Sequence, residues 1–342
     1  MKKLPKVLAL LLAVSMVFVL ASCKPAEDGA TTAPEDAKLK IGIVQYVEHP
    51  ALDAAREGFV EALAENGYVD GENITIDVQN AQADQSNLKS IAQRFVNDKV
   101  DLILAIATPA AQAMVSETTE IPILGTAITD YEVAKLVDSN EAPGGNVSGT
   151  TDMNPVKEQI DLLKKLVPDV ENVGLLYTSS EDNSVMQAGM VKDACEKLGL
   201  TVKEATVTSS NDVQQVTQSL VGKVDAIYIP TDNVCASAMP VISQITTEAK
   251  IPVICGEANM VLGGGLATLG INYSKLGYQT GEMAVKVLKG EAETASMPIE
   301  SQTDYDFTIN GDVAKDIGMT VPDDLADAVV YPSQATPAAT EE

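Results

Sequence analysis

Twice in this chain a Val-Asp pair opens an apolar run that ends on threonine, and this repetition limits the possible folds more than any other feature. Val100-Asp101-Leu102-Ile103-Leu104-Ala105-Ile106-Ala107-Thr108-Pro109 is answered by Val224-Asp225-Ala226-Ile227-Tyr228-Ile229-Pro230-Thr231-Asp232-Asn233. Each run is apolar at successive positions, the pattern of a parallel strand buried on both faces. Each ends in cap residues, whose side-chain oxygens accept the orphan N–H groups of a following helix. Open α/β sheets bind ligands where a strand's carboxyl end feeds a helix. The free N–H groups and helix dipole there favour a carboxylate or phosphate.

The match extends outward from the two runs. Ile121-Pro122-Ile123-Leu124-Gly125 is answered by Ile251-Pro252-Val253-Ile254-Cys255-Gly256, and Lys40-Ile41-Gly42-Ile43-Val44 by Asn172-Val173-Gly174-Leu175-Leu176. Ala64-Glu65-Asn66-Gly67 likewise pairs with Glu196-Lys197-Leu198-Gly199, and the offset stays between 124 and 132 residues. Two related α/β halves, each with a ligand-ready turn, predict a cleft between them.

Lys2, Lys3 and Lys6 precede an apolar stretch at 7–20 that is too short for a typical spanning helix. It ends in Leu20-Ala21-Ser22-Cys23, which resembles the lipobox of bacterial lipoproteins. That resemblance implies a signal peptide at 1–22 and acylation of Cys23, giving a membrane lipid anchor and an extracytoplasmic location. An ordinary secretory signal with a chance cysteine is the other reading. Residues 23–37 lack apolar periodicity and read as a tether, and 332–342 as a loose tail.

The chain has 23 basic and 49 acidic residues, net −26, and the part after residue 22 is more acidic by three lysines. That charge repels nucleic acid and anionic lipid, so neither is expected as a partner. Beyond Cys23 the cysteines are Cys195, Cys235 and Cys255, none at metal-ligand spacing, and reduced thiols are expected. With one histidine and no Gly-x-Ser-x-Gly elbow, little is available for a nucleophile–base pair, so the reading is not an enzyme and needs no cofactor or metal. Gly263-Gly264-Gly265 is no phosphate loop.

Between 38 and 331, strand and helix patterns alternate, which argues for parallel sheets covered by helices on both faces. Strands are expected at 40–45, 74–78, 102–107, 121–125 and 147–150 in the first half. The second half places them at 173–177, 201–205, 226–229, 253–255 and 266–271. A long amphipathic helix follows at 276–289 and a last strand at 304–309. The breaker-rich segment 142–146 is the candidate first crossing between halves, and 263–271 the return.

The body resembles the type I periplasmic-binding-protein fold. More narrowly, it is similar to ABC-transporter substrate-binding lipoproteins that take up tryptophan, tyrosine, phenylalanine and related amino acids. The residues carrying this include Gln45-Tyr46-Val47-Glu48-His49-Pro50-Ala51-Leu52-Asp53, Ala107-Thr108-Pro109-Ala110-Ala111-Gln112, Tyr177-Thr178-Ser179-Ser180-Glu181-Asp182-Asn183-Ser184 and Pro230-Thr231-Asp232-Asn233. Leu269-Gly270-Ile271-Asn272-Tyr273 and Gly311-Asp312-Val313-Ala314-Lys315-Asp316-Ile317-Gly318 add to them. Asp130-Tyr131 departs from the Asp-Pro expected there, which leaves the pocket edge and ligand choice open. The resemblance implies an α/β fold of two similar doubly wound parallel-sheet lobes joined by a multi-strand hinge. Lobe 1 would be 38–152 plus 273–299, and lobe 2 would be 153–272 plus 300–331. It also implies ABC permease subunits as partners and a small amino-acid-like ligand in the cleft.

A zwitterion needs donors for its carboxylate and an acid for its ammonium. Thr108 with the turn through Pro109 and Ala110 offers the first, joined by Ser180, Asn183 and Ser184 on the opposing helix start. Asp232 is the expected ammonium partner, unless it and Thr231 simply cap their helix. Glu48 is a second acid near the cleft, and His49 either touches ligand or holds its loop. Tyr46, Tyr131 and Tyr177 either bracket an aromatic side chain or pack the rim. Thr129, Asp130, Asn233 and Glu257 complete the expected set. A nucleoside on the same fold, or a sensory lipoprotein presenting ligand to a membrane kinase, are the alternatives.

Overall fold

A computed structural model describes residues 38–334, so the signal segment, Cys23, the tether and most of the tail lie outside the described residues. The first lobe runs β1 (Leu39–Gln45), α1 (Pro50–Glu65), β2 (Ile74–Asn80), α2 (Gln85–Asp98), β3 (Leu102–Ile106), α3 (Thr108–Glu117), β4 (Ile123–Ile128) and β5 (Val147–Thr151). The chain then crosses into α4 (Val156–Leu166), β6 (Asn172–Thr178), α5 (Asp182–Lys197), β7 (Thr201–Val207), α6 (Ser210–Leu220) and β8 (Ala226–Ile229). There follow α7 (Asn233–Ser237), α8 (Met239–Glu248), β9 (Val253–Cys255), α9 (Ala258–Leu262) and β10 (Ala267–Gly270). It returns for α10 (Tyr273–Leu288) and β11 (Glu300–Ser301), and crosses again into β12 (Asp306–Asn310), α11 (Gly311–Ile317) and β13 (Val329–Val330).

The first sheet has the order β11-β5-β4-β3-β1-β2 and is parallel throughout. The second has the order β13-β12-β10-β9-β8-β6-β7. It is parallel except for β10 against β12, an antiparallel pair that arises because β12 enters from the other lobe. The repeat seen in the sequence has a structural cause at the ends of the strands away from the cleft. Asp101 Oδ2 accepts from Lys40 N at 2.7 Å, and Asp225 Oδ2 accepts from Asn172 N at the same 2.7 Å. Each aspartate therefore pins the start of the neighbouring strand, β1 or β6. Pro122 and Pro252 repeat the symmetry, their carbonyls accepting from Ile103 N and Ile227 N, both at 2.9 Å.

One apolar core fills the first lobe, and two clusters lie in the second. In the first lobe α10 packs on α1 with unusually close backbones. A Cβ on Gly277 would lie 1.8 Å from the Ala55 carbonyl oxygen, and one on Gly58 would lie 2.1 Å from that of Ser274. The crossings fall elsewhere than the breaker residues suggest. Segment 142–146 is a surface turn before β5, with Gly144 at φ +78, and β5 is an interior strand of the first sheet. Likewise Gly263 ends α9, and β10 belongs wholly to the second sheet. The lobes are joined at 152–155, 271–272 and 302–305. Glu300 and Ser301 pair with β5, so these two residues sit in the first sheet and the last crossing follows them.

Candidate ligand-binding cleft

The carboxyl ends of both sheets face one another, and the residues just past them meet. His49 Nε2 lies 3.4 Å from Asn233 Oδ1, and Thr129 Oγ1 lies 3.3 Å from Thr231 Oγ1. Gln187 on α5 reaches both of those hydroxyls, at 3.3 and 2.5 Å. Further out, Gln112 on α3 donates to Asp182 Oδ2 at 2.8 Å. The lobes are thus in direct contact, in a closed arrangement.

Between them lies a narrow cavity of about 10 Å³. Leu52, Ala127, Ala236 and Met260 form its apolar walls, with His49, Asp152, Asp232, Glu257 and Tyr273 as polar or aromatic neighbours. A wider space of about 160 Å³ shares His49, Ala236, Glu257 and Met260, and continues past Pro50, Met239 and Pro240 to exposed Glu48. Four carboxylates around the cleft are nearly or wholly buried: Asp152, Glu181, Asp232 and Glu257. Among the described residues no lysine or arginine is buried to offset them. Burial pushes Glu257 up to about 7 and raises Asp152, while Glu181 is raised by burial and then by the charge of Asp232. Burial also takes His49 down to about 4, so near neutrality it is an uncharged imidazole.

The protein's own donors engage these acids unequally. Asp232 accepts from Thr178 N at 2.5 Å, Thr178 Oγ1 at 2.8 Å and Cys235 N at 2.8 Å, so it caps α7 and ties it to β6. Glu181 accepts from the Asn233 amide group at 2.5 Å and, at 3.3 Å, from the backbone N–H groups of Asn233 and Val234. Glu257 caps α9 through Asn259 N and Met260 N. Asp152 takes the Tyr273 hydroxyl at 2.6 Å on Oδ2, and its Oδ1 is buried without a partner. Three other buried polar atoms at the strand ends also lack partners: His49 Nδ1, Thr108 Oγ1 and Asn183 Oδ1. A buried polar atom without a partner costs free energy, and of these His49 and Asp152 line the cavity, where a ligand can complete them. Two non-glycine residues beside it are held at positive φ, Ala107 at 83° and Ala127 at 55°. Strain of this kind concentrates at functional sites.

Of the residues expected from the sequence, His49, Thr231, Asp232, Asn233 and Glu257 line the cavity and Glu48 the wider space beside it. Tyr46, Thr108, Ala110, Thr129, Asn183 and Ser184 are buried at the strand ends without lining either, with Pro109 in the first turn of α3. Ser180 is exposed, and Asp130 caps its own turn by accepting from Glu132 N and Val133 N, both at 2.9 Å. Tyr131 is fully buried with its hydroxyl on Thr150 O, and Tyr177 bonds Glu204. Neither lines the two cavities. Asp152, Glu181, Gln187 and Tyr273 were not singled out by sequence reasoning. The lobe bounds implied by the resemblance put the change of lobe at 152/153, but the breaker-rich segment 142–146 drew attention before β5, and Asp152 was not read as a site residue. Cys195, Cys235 and Cys255 are buried free thiols, and burial raises all three.

Two lobes with parallel-dominated sheets, hinged by three crossings and facing each other with their ligand-ready strand ends, define a type I periplasmic-binding-protein architecture. Residues 40–332 match the model of the ABC transporter substrate binding protein family, and the chain belongs to that family. It is 44% identical over 326 residues to a tyrosine-binding protein of Clostridioides difficile, covering 93% of this chain and 94% of that one. An ABC domain from Streptococcus pneumoniae in complex with L-Trp is 39% identical and superposes with a TM-score of 0.83, over 86% of this chain and all of that one. The ligand-free, open structure of a Clostridium difficile substrate binding protein with adhesive properties is 51% identical. It superposes at only 0.65, over 86% of this chain and 99% of that one. The better fit thus goes to the less similar sequence, in keeping with the closed lobes seen here.

Proposed function

We propose that this protein captures an aromatic amino acid, tyrosine or tryptophan, between its lobes and hands it to the permease of an ABC importer. The observation that carries this reading is the cleft itself: buried carboxylates from both lobes, unpartnered atoms on His49 and Asp152, apolar walls and, among the described residues, no buried cation. A free amino acid supplies what such a site lacks. Its ammonium answers the acids, its carboxylate suits the Thr108 hydroxyl at the start of α3, and its ring suits Leu52, Met260 and Tyr273. The tyrosine-binding relative and the L-Trp complex support the aromatic class. Thr108, Asn183, Thr231 and Glu257 are the contact residues we favour, with His49 at the cavity wall.

The same reading places the protein outside the cytoplasm, cut before Cys23 and held to the membrane by acyl chains on that residue. The tether 23–37 would then set the distance between the folded body and the permease. A thermal-shift panel of L-amino acids and nucleosides tests the cargo. Tyrosine or tryptophan should raise the midpoint, since a ligand bound only by the native state stabilises it. A shift with nucleosides alone would replace this reading with a nucleoside carrier.

A further inference from the structure

Among the four buried acids of the cleft, Asp152 alone has a buried oxygen that meets no donor in good hydrogen-bond geometry, with the Thr129 hydroxyl as its polar neighbour. Its surroundings hold it rigidly. The residue is 3% exposed and follows β5 directly, with its backbone N–H on Ile128 O at 3.1 Å. Oδ2 takes the Tyr273 hydroxyl at 2.6 Å, and the residue lines the interlobe cavity beside Glu257. A second bond links the same two crossings: Asn154 Oδ1 accepts from Ile271 N at 3.2 Å. Asp152 therefore sits where crossing 152–155 is fastened to crossing 271–272. The sequence favours Asp232 as the acid for a ligand cation, yet Asp232 already accepts three protein hydrogen bonds.

We propose that Asp152 Oδ1 receives the ligand's ammonium, so that recognition of the cation is made on the hinge itself. The inference rests on the amino-acid reading above and specifies which residue holds the α-amine. An ammonium offers three donors, and the buried Oδ1 can take one of them as a charge-assisted bond. Glu257, on the second lobe, faces the same cavity and adds negative charge. The ligand's amine then touches a crossing and a lobe at once, which favours the closed state by differential contact.

The test measures affinities of wild type and Asp152→Asn for L-tyrosine, tyramine and 3-(4-hydroxyphenyl)propanoate, which keep both charges, the amine alone and the carboxylate alone. Asn preserves shape and the Tyr273 bond but removes the charge. The variant should lose about 100-fold in affinity for L-tyrosine and tyramine, and hold or gain affinity for the propanoate. An equal loss for all three ligands would make Asp152 merely structural and overturn the proposal. With L-phenylalanine measured alongside, loss of tyrosine with full retention of phenylalanine would also overturn it, since the oxygen would then read the phenol. Wild type binding tyramine but not L-tyrosine would sink the amino-acid reading and leave Asp152 to the tyramine arm. Binding of neither would overturn both. If Asp152→Asn does not fold, a crystal structure of wild type with L-tyrosine decides: the amine within about 3.2 Å of Oδ1 supports the proposal, and any other location overturns it.

Discussion

Asp232 holds three donors that water does not reach, and removing its carboxylate leaves Thr178 N and Cys235 N unsatisfied in the interior. Asp232→Ala should therefore lower stability by about 2 kcal/mol or more, the combined effect of a lost cap and buried orphan donors, read from chemical denaturation. An unchanged midpoint would mean that the acid is not structural. The titrating groups make a second expectation at this scale. Between about pH 4 and 6.5 the unfolded chain carries a proton on His49 that the native state refuses, so stability falls on acidification there. Between 4.5 and about 7 the native state holds a proton on Glu257 that the unfolded chain releases, so that contribution falls as pH rises. Glu181 and Asp152 are raised too and act in the same direction as Glu257. The single histidine offsets only part of the acids' contribution between 4.5 and 6.5, so the ligand-free midpoint should decline as pH rises there, and more steeply above 6.5. An ammonium ligand favours the ionised acids, so its stabilisation should be larger at pH 8 than at pH 6; the reverse order in thermal melts would refute this. Cap residues such as Thr231, Asp232 and Asn233 were visible in the sequence because capping is a local rule. Whether a cap also has a free oxygen depends on donors far along the chain, such as Thr178, and no local pattern shows that.

At the level of elements, α10 reaches its place only because glycines allow it. Gly277→Ala would gain helix propensity in an isolated peptide, but here the new methyl group meets the Ala55 carbonyl at 1.8 Å, against backbone that cannot swing away. The variant should be destabilised by about 2 kcal/mol through overpacking, as measured by urea denaturation, while Gly290→Ala, with nothing nearby but φ +69, reports backbone strain alone. Equal stability of Gly277→Ala and wild type would contradict the close packing. Strand and helix order was legible because buried parallel strands read as unbroken apolar runs, and β8 (Ala226–Ile229) and β9 (Val253–Cys255) were placed to the residue. The breaker residues did not mark the crossings, because they occur at surface turns and lobe changes alike; the lobe bounds implied by the resemblance, 152/153 and 272/273, fall on two of them. The strand β11, two residues long, and the antiparallel β10–β12 pair depend on contacts between distant segments and carry no periodic signal.

For the whole molecule, the internal repeat exposed the two-lobe plan and the cleft between them, whereas the degree of closure is a property of lobe-to-lobe contacts alone. The Gln112–Asp182 bond lies outside both cavities yet joins α3 to α5 across the cleft. Gln112→Ala should weaken ligand affinity a few-fold, chiefly by faster release, with no change in which ligand is preferred. A changed preference would place Gln112 in the site instead. The central claim, that an aromatic amino acid is enclosed between the lobes, has a direct optical test because the chain contains no tryptophan. Emission excited at the red edge of indole absorption comes from L-tryptophan alone. Upon addition of protein it should shift to the blue and gain anisotropy saturably, and L-tyrosine should reverse both changes. Free-ligand emission that protein leaves untouched, together with no thermal shift from L-tyrosine, would contradict the account.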